Sequence, residues 1–460
     1  MAQTDMTSGN IRKQLIDYSI PLVLGNLFQL TYNLTDSIIA GRFIGKEALA
    51  AAGIASPIMN MIILGISGLS MGAGVLMSEY FGARDFKNLK KEMATVLISG
   101  FFFSITVVLL GIFATPWLLS LMQVPGSIEQ MAGTYLKIIF LGAPFTYFYN
   151  TLATALKSVG DSKTPLRFLM ISAILNTVLD IIFIGCLGYG ILCSAMTTVI
   201  AEAVSALLSF WYIYARVPEL AIKPKELTVD TYLLKRTLKF GSVTALQQSC
   251  QPFFKLLIQS CINSLGVDII ATFNAVTRID DFAFTPEQSI AHAITTFVAQ
   301  NRGKAEKEKK IWSPRILKGF QTGLVLEVIY WVFICGFTLL FNKQIMSAFI
   351  TDENAPAIIE MGTAYLKTMA FLYLMPAFTN GIQGFFRGMA KLKTTLLGTF
   401  IQIFVRTLAT FILAPKMGIY GITYACLWGW IMMLAFEVPY CIYTIRKHQR
   451  PDAVYVDDTL

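Results

Sequence analysis

Along the chain, long apolar blocks alternate with short polar gaps. Val96 to Trp117 and Leu324 to Phe341 are two such blocks. A helix that crosses the hydrocarbon core of a bilayer needs roughly 20 mostly apolar residues. Blocks of that length number about twelve. They predict helices near 15–40, 48–77, 93–121, 131–155, 165–186, 190–215, 233–264, 269–300, 314–341, 357–385, 394–414 and 419–445. Pro125-Gly126, Gly160-Asp161, Pro224, Pro314 and Pro356 punctuate the gaps. The first block runs from Leu15 past Leu34, too long for the core of a signal peptide. The pattern predicts an all-α integral membrane protein with twelve transmembrane helices in two pseudo-symmetric six-helix bundles.

Composition agrees. Charged residues make up 14% of the chain and hydrophobic ones 55%, whereas soluble domains run to about 25% charged. The net charge of +9 would suggest nucleic acid in a soluble protein. Here the basic residues fall in alternate gaps, among them Arg12 and Lys13, then Arg84, Lys87, Lys90 and Lys91, and later Arg302 through Lys318. The intervening gaps hold only Arg42, Lys46, Lys343 and Lys416. That alternation is an orientation signal, with both termini cytoplasmic in the plasma membrane. It argues against a nucleic-acid partner and for the lipid bilayer. The seven cysteines form no CxxC or Cys/His metal pattern. Only Cys186 and Cys193 lie close to one outer loop, and they are not expected to pair.

The two halves repeat. Thr134-Tyr135-Leu136-Lys137 returns as Ala364-Tyr365-Leu366-Lys367, and Leu187-Gly188-Tyr189-Gly190 matches Met417-Gly418-Ile419-Tyr420. These pairs lie about 230 residues apart, and the first and seventh helices align at an offset near 222. Six helices per repeat is an even number, so the repeats run parallel. That is a common transporter plan, with the substrate site between the halves. The reading is an N-terminal lobe over 1–215, a cytoplasmic linker over 216–232 and a C-terminal lobe over 233–460.

Polar groups inside apolar helices need a reason. In the first helix Asn26, Gln29, Asn33 and Asp36 are spaced to share one face, downstream of Pro21, which removes a backbone hydrogen bond and permits a bend. In the fifth helix Asn176 and Asp180 are neighbours one turn apart. A buried carboxylate can exchange protons, and carboxylate with amide oxygens can bind sodium. Either couples the chain to an ion gradient. Thr197 and Thr198 can add a hydroxyl ligand. Asn26, Gln29 and Asn33, with Asn150 of the fourth helix, are candidate substrate-cavity groups. The second half keeps the stripe but changes its sign: Gln248, Gln251 and Lys255 stand in the seventh helix, and Arg406 replaces Asn176. With Arg278, Asp280, Asp281 and Glu287 they predict a C-lobe polar network that holds its helices, leaving cation coupling to the N-lobe. Glu202, Glu327 and Glu437 are single acids in apolar helices, expected to pair with a neighbour or to line the cavity.

These residues resemble the MATE (multidrug and toxic compound extrusion) family. The likeness rests on Pro21, Asp36 and Gly41, on Gly82-Ala83-Arg84, and on Gly160-Asp161-Ser162-Lys163-Thr164-Pro165. Asn176 with Asp180 and Gln300-Asn301-Arg302-Gly303 complete it. Each motif is weak alone, and the ordered set covers nearly the whole chain. The resemblance implies two six-helix bundles around a central cleft, working by alternating access. It implies export of organic cations and other amphipathic drugs in exchange for H⁺ or Na⁺, with no other cofactor. In the DinF-like branch it assigns cation coupling, and any Na⁺ site, to Asp36, Asn176, Asp180 and Thr198. It places Gln29 in the drug cavity and Pro21 at the bend. The NorM-like branch carries acids on its seventh and tenth helices. This chain has none between Phe240 and Gly266 or between Tyr365 and Arg387.

Two rivals follow from the same residues. A lipid-linked oligosaccharide flippase of the same superfamily needs cavity cations to grip pyrophosphate, and Lys255, Arg278 and Arg406 keep that reading open. A membrane-embedded enzyme is disfavoured, because no HExxH, paired-Asp metal motif or Ser/His arrangement lies in a helix. The expected state is a monomer.

Overall fold

The computed structural model describes the backbone of residues 4–43, 46–122, 124–310, 312–349 and 356–449. The side chains of 33–43, 46–50, 52, 56, 57 and 349 lie outside the described residues. Among the described residues the regular structure is helical. The first half comprises α1 (Ile11–Phe43), α2 (Lys46–Gly82), α3 (Phe86–Leu121), α4 (Gly126–Ser158), α5 (Lys163–Asp180) and α6 (Ile191–Arg216). The second comprises α7 (Thr231–Asn263), α8 (Val267–Lys307), α9 (Pro314–Phe349), α10 (Pro356–Leu372), α11 (Leu374–Gly388), α12 (Leu392–Met417) and α13 (Ile419–Gln449). The helix expected over 357–385 is α10 and α11, interrupted at Tyr373. Pro376 has no N–H to donate to the carbonyl of Leu372, which accounts for the interruption. Together the two make one span, so the architecture is the twelve-span one.

Several helices run past the expected ends. In α3 the basic residues Lys87, Lys90 and Lys91 extend the helix, started by Asp85, whose side chain accepts the Asn88 N–H. Seven helices among the described residues are long and apolar enough to cross a membrane by composition alone. Of the rest, α10 and α11 are singly too short, at 17 and 15 residues, while α1 and α8 carry polar and charged residues along their length. Lipid-facing surface is plain on α3 and α9: Phe102, Phe113, Trp117, Phe333 and Leu340 are exposed, an apolar exterior that water would not tolerate.

By contacts the chain forms two compact units, one of residues 1–5 and 24–245, the other of 6–23 and 246–460. The division assigns the first part of α1 to the second unit and the first part of α7 to the first. It changes three residues past Pro21, which sits inside α1. In the first unit α7 lies directly on α2. A Cβ on Gly72 would sit 2.5 Å from Gly241 N, so this approach admits no side chain. In the second unit Tyr18 and Leu22 of α1 pack with Ala293 and Phe297 of α8.

The sequence repeat reappears in the backbone. Arg84, Gly160, Lys309 and Ala390 all have positive φ, each closing α2, α4, α8 or α11. In each case the next residue's N–H reaches back five positions, as from Asp161 to Leu156 O and from Lys391 to Phe386 O, both within 3.0 Å. This is the left-handed helix stop of the Schellman type. Gly188 and Gly418, matched in the sequence, also share positive φ.

Candidate functional site

In the first unit α1, α5 and α6 bring a polar cluster together among apolar side chains. Asp180 and Asn176 are 0% and 1% exposed. Asp180 is the last residue of α5. Beyond it the helix widens to a π-helical turn, Ile181–Cys186, in which Leu187 N–H bonds to Ile182 O. Such turns recur at functional sites. The Thr197 hydroxyl donates to Asp180 Oδ1. Turned with its nitrogen toward Asp180, the Asn176 amide donates to Asp180 Oδ2 at 3.2 Å and to Tyr32 Oη at 2.6 Å. Its oxygen then accepts from Thr198 N–H at 3.1 Å and lies 3.3 Å from Thr197 Oγ1, whose proton goes to Asp180. The cluster thus has one carboxylate, one amide, two threonines and a tyrosine. That set can hold a proton or offer several oxygens to a cation.

One turn along α6 from Thr198 lies Glu202. It accepts the Thr146 hydroxyl of α4. Thr198, Thr146 and Glu202 line a cavity of about 30 Å³ with Ile62, Ala143 and Val199. A water needs about 10–15 Å³ of such space and a few polar partners, so the cavity admits water beside Thr198.

Of the residues expected in the coupling site, Asn176, Asp180 and Thr198 meet. The side chains of Asp36 and Asn33 lie outside the described residues. Their helix continues through both positions, Asp36 one turn past Tyr32. Asn26 and Gln29 are half-buried on α1 and engaged in contacts. Asn150 is half-buried and donates to Thr146 O at 2.8 Å. Pro21 is buried. Tyr32 was not read from the sequence, although it stands three after Gln29 and four before Asp36, on the same face.

In the second unit Asp280 is buried and accepts from Tyr365 Oη at 2.7 Å and Tyr373 Oη at 2.8 Å. Arg406 is within electrostatic reach of Asp280 and Asp281, as Lys255 is of Asp281. Gln251, Lys255 and Arg278 are exposed and Gln248 half-buried. The buried amide of α7 is Gln247. Its nitrogen donates to Thr399 Oγ1 at 2.8 Å and Gln383 Oε1 at 3.1 Å. Gln383 in turn donates to Glu437 Oε1 at 3.2 Å and accepts from Arg387. Sequence spacing from the first helix pointed at Gln248, one residue from the position the packing uses. Glu287, expected in this network, is fully buried elsewhere on α8, beside Glu327 of α9.

Outside the spans, Asp230 precedes α7 and accepts the N–H groups of Tyr232 and Leu233 at 3.0 and 3.2 Å, with Lys91 Nζ 3.6 Å away. The Leu233 N–H foremost, with help from Tyr232 and Lys91, holds its carboxyl below the usual range.

Known proteins share this fold. The MatE family profile matches residues 21–182 and 244–412. A probable multidrug resistance protein of Bacillus subtilis, YpnP, is 30% identical over 88% of each chain. The multidrug export protein MepA of Staphylococcus saprophyticus is 23% identical over 90% of this chain and 89% of its own. An outward-facing multidrug resistance MATE transporter of the MOP superfamily superposes with a TM-score of 0.89. It is 22% identical, over 96% of this chain and 98% of its own. With both of its repeats matched, the chain belongs to the MatE family of multi-pass membrane transporters, and it is not an enzyme.

Proposed function

We propose that this chain is a secondary-active exporter of organic cations or amphipathic drugs, working by alternating access against inward flow of H⁺ or Na⁺. The observation that carries this reading is the buried Asp180 carboxylate, held by Asn176 and Thr197 where α5 passes into its π turn. An acid in such a place is costly, and such acids characteristically mark ion pathways and proton relays. Asp36 of α1 is proposed as its partner, with Tyr32 linking α1 to Asn176. Neutralising Asp180 alters what Asn176 and Thr197 donate to, and through Tyr32 that change reaches α1. An ion drives transport only by binding the two states unequally, and this linkage supplies the inequality. The relatives' names, multidrug resistance and multidrug export, support drugs as substrates. The protein is placed in the plasma membrane as a monomer with cytoplasmic termini.

The test is efflux of a fluorescent organic cation from proteoliposomes, with Na⁺ and pH gradients imposed separately. Asp180→Asn and Asp36→Asn are each expected to abolish gradient-driven efflux at matched reconstitution. Efflux at the wild-type rate in both variants ends the proposal.

A further inference from the structure

We propose that Glu287 and Glu327 form a proton-binding carboxyl dyad within the second unit, an ion-exchange site separate from the Asp180 cluster. The dyad stands on packing. Helices α8 and α9 run antiparallel, and three contacts set their register. Tyr330 Oη donates to Ala283 O at 2.9 Å. A Cβ on Gly323 would sit 2.4 Å from Ile294 Cγ1, and one on Gly319 would sit 2.0 Å from Phe297 Cε1. Glu327 is one turn before Tyr330 and Glu287 one turn after Ala283, so the two acids occupy facing turns between these contacts. From α11, Gly381 closes the space: a Cβ there would sit 3.8 Å from Glu327 Cγ.

Both acids are inside, 0% and 1% exposed. None of their four carboxyl oxygens has a hydrogen-bond partner. Asn380 of α11 is near enough to influence Glu287 without reaching hydrogen-bonding geometry. A buried unpaired carboxylate is among the costliest groups a protein can carry, and two side by side repel. Like-charged acids sharing a site resolve this by keeping a proton between them. Two carboxyls and one amide make a thin oxygen shell for a metal ion, and among the described residues no group of three His, Cys, Asp or Glu assembles to hold one. The set suffices for a proton.

The surroundings permit exchange. Pro286 directly precedes Glu287 and removes one backbone hydrogen bond, which loosens that turn. The ionisable groups that feel Glu287 are Glu327, Tyr330 and Tyr373. Tyr373 also holds Asp280, so it joins the dyad to the Asp280 and Arg406 group. On α8 itself His292 lies five residues beyond and has its own contact. From α1, Tyr18 bonds Thr296 at 3.3 Å. On α11, Arg387 is two turns from Asn380 and engaged with Gln383.

The proposal is read on the purified protein, without transport, so its failure and that of Asp180 coupling are separate results. Wild type, Glu287→Gln, Glu327→Gln and the double variant are compared by infrared spectroscopy through a pH step, with released protons counted in weak buffer. Glutamine mimics a neutral acid, which makes it the substitution least disturbing to the fold. The wild type is expected to show a protonated-carboxyl band at neutral pH that falls as the pH rises. The double variant is expected to lose that component and to release about one proton fewer per molecule. Each single variant is expected to collapse the dyad's two steps to one. A proton count and band unchanged in the double variant overturn the proposal. Should the double variant not fold, two-step titration persisting in both single variants overturns it equally.

Discussion

The Thr197 hydroxyl, not that of Thr198, meets the Asp180 carboxylate. Thr198 Oγ1 bonds back to Ser194 O at 2.9 Å and presents its N–H to Asn176 instead. A hydrogen bond to a charged group contributes about 1.5–3 kcal/mol. Thr197→Val is therefore expected to weaken ion-driven efflux by about ten-fold or more, with Thr197→Ser near wild type. Thr198→Val keeps its N–H and is expected to cost less. The check is the initial rate of dye efflux against the driving-ion concentration. Equal losses in the two valine variants would refute the assignment.

Tyr32 is the second residue to test, because its hydroxyl is the link from α1 to the α5 amide. Tyr32→Phe keeps the ring and removes the hydroxyl that makes that link. The stability cost expected is about 0.5–1.5 kcal/mol, while efflux falls much further. Melting temperature and transport rate measured on one preparation separate the two. A transport loss no larger than the stability loss would make Tyr32 structural.

Much of this was legible in the sequence, and the reasons differ by level. Span count and repeat come from long-range composition, and single residues cannot disguise them: Gly188 and Gly418 sit at equivalent helix stops as their motifs suggested. Asn176 and Asp180 were visible because one helical turn separates them. Tyr32 was hidden because an aromatic residue in an apolar helix reads as packing, and only its hydroxyl's partner on another helix says otherwise. Gln247 was hidden by register. Projection from the first helix selected Gln248, yet which glutamine faces inward depends on how α7 lies against α11 and α12. Glu287 and Glu327 are 40 residues apart in sequence, and only the antiparallel packing of α8 on α9 makes them neighbours.

The cap at Asp230 gives a prediction outside the membrane. Its carboxyl is depressed, so it stabilises the fold at pH values above the unfolded carboxyl's range, near 3.9. The contribution disappears as the pH falls through the lower, folded value. Asp230→Ala is expected to cost about 0.5–2 kcal/mol at neutral pH and less in strong acid, where the neutral carboxyl keeps a capping oxygen but not its charge. Asp230→Asn retains a capping oxygen and loses only the Lys91 pair, which at the surface contributes little. Thermal unfolding at neutral and acidic pH checks both, and an alanine penalty that persists undiminished in acid contradicts the assignment.

The residues before α1 are held by one side chain above all. Arg315 donates to Met6 O at 3.0 Å, Gly9 O at 2.8 Å, Ser8 O at 3.1 Å and Gln14 Oε1 at 2.6 Å. Its guanidinium also lies over the Phe297 ring. Gln300 and Asn301 add to this by bonding Met6 N and Met6 O, which gives the Gln300-Asn301 motif a physical role. Lysine keeps the charge but cannot reach several acceptors in a planar fork. Arg315→Lys is therefore expected to be nearly as damaging as Arg315→Ala, each costing about 1–3 kcal/mol and each exposing the segment before α1 to protease. If lysine restores both melting temperature and protease resistance, charge holds the segment and the four-acceptor geometry does not.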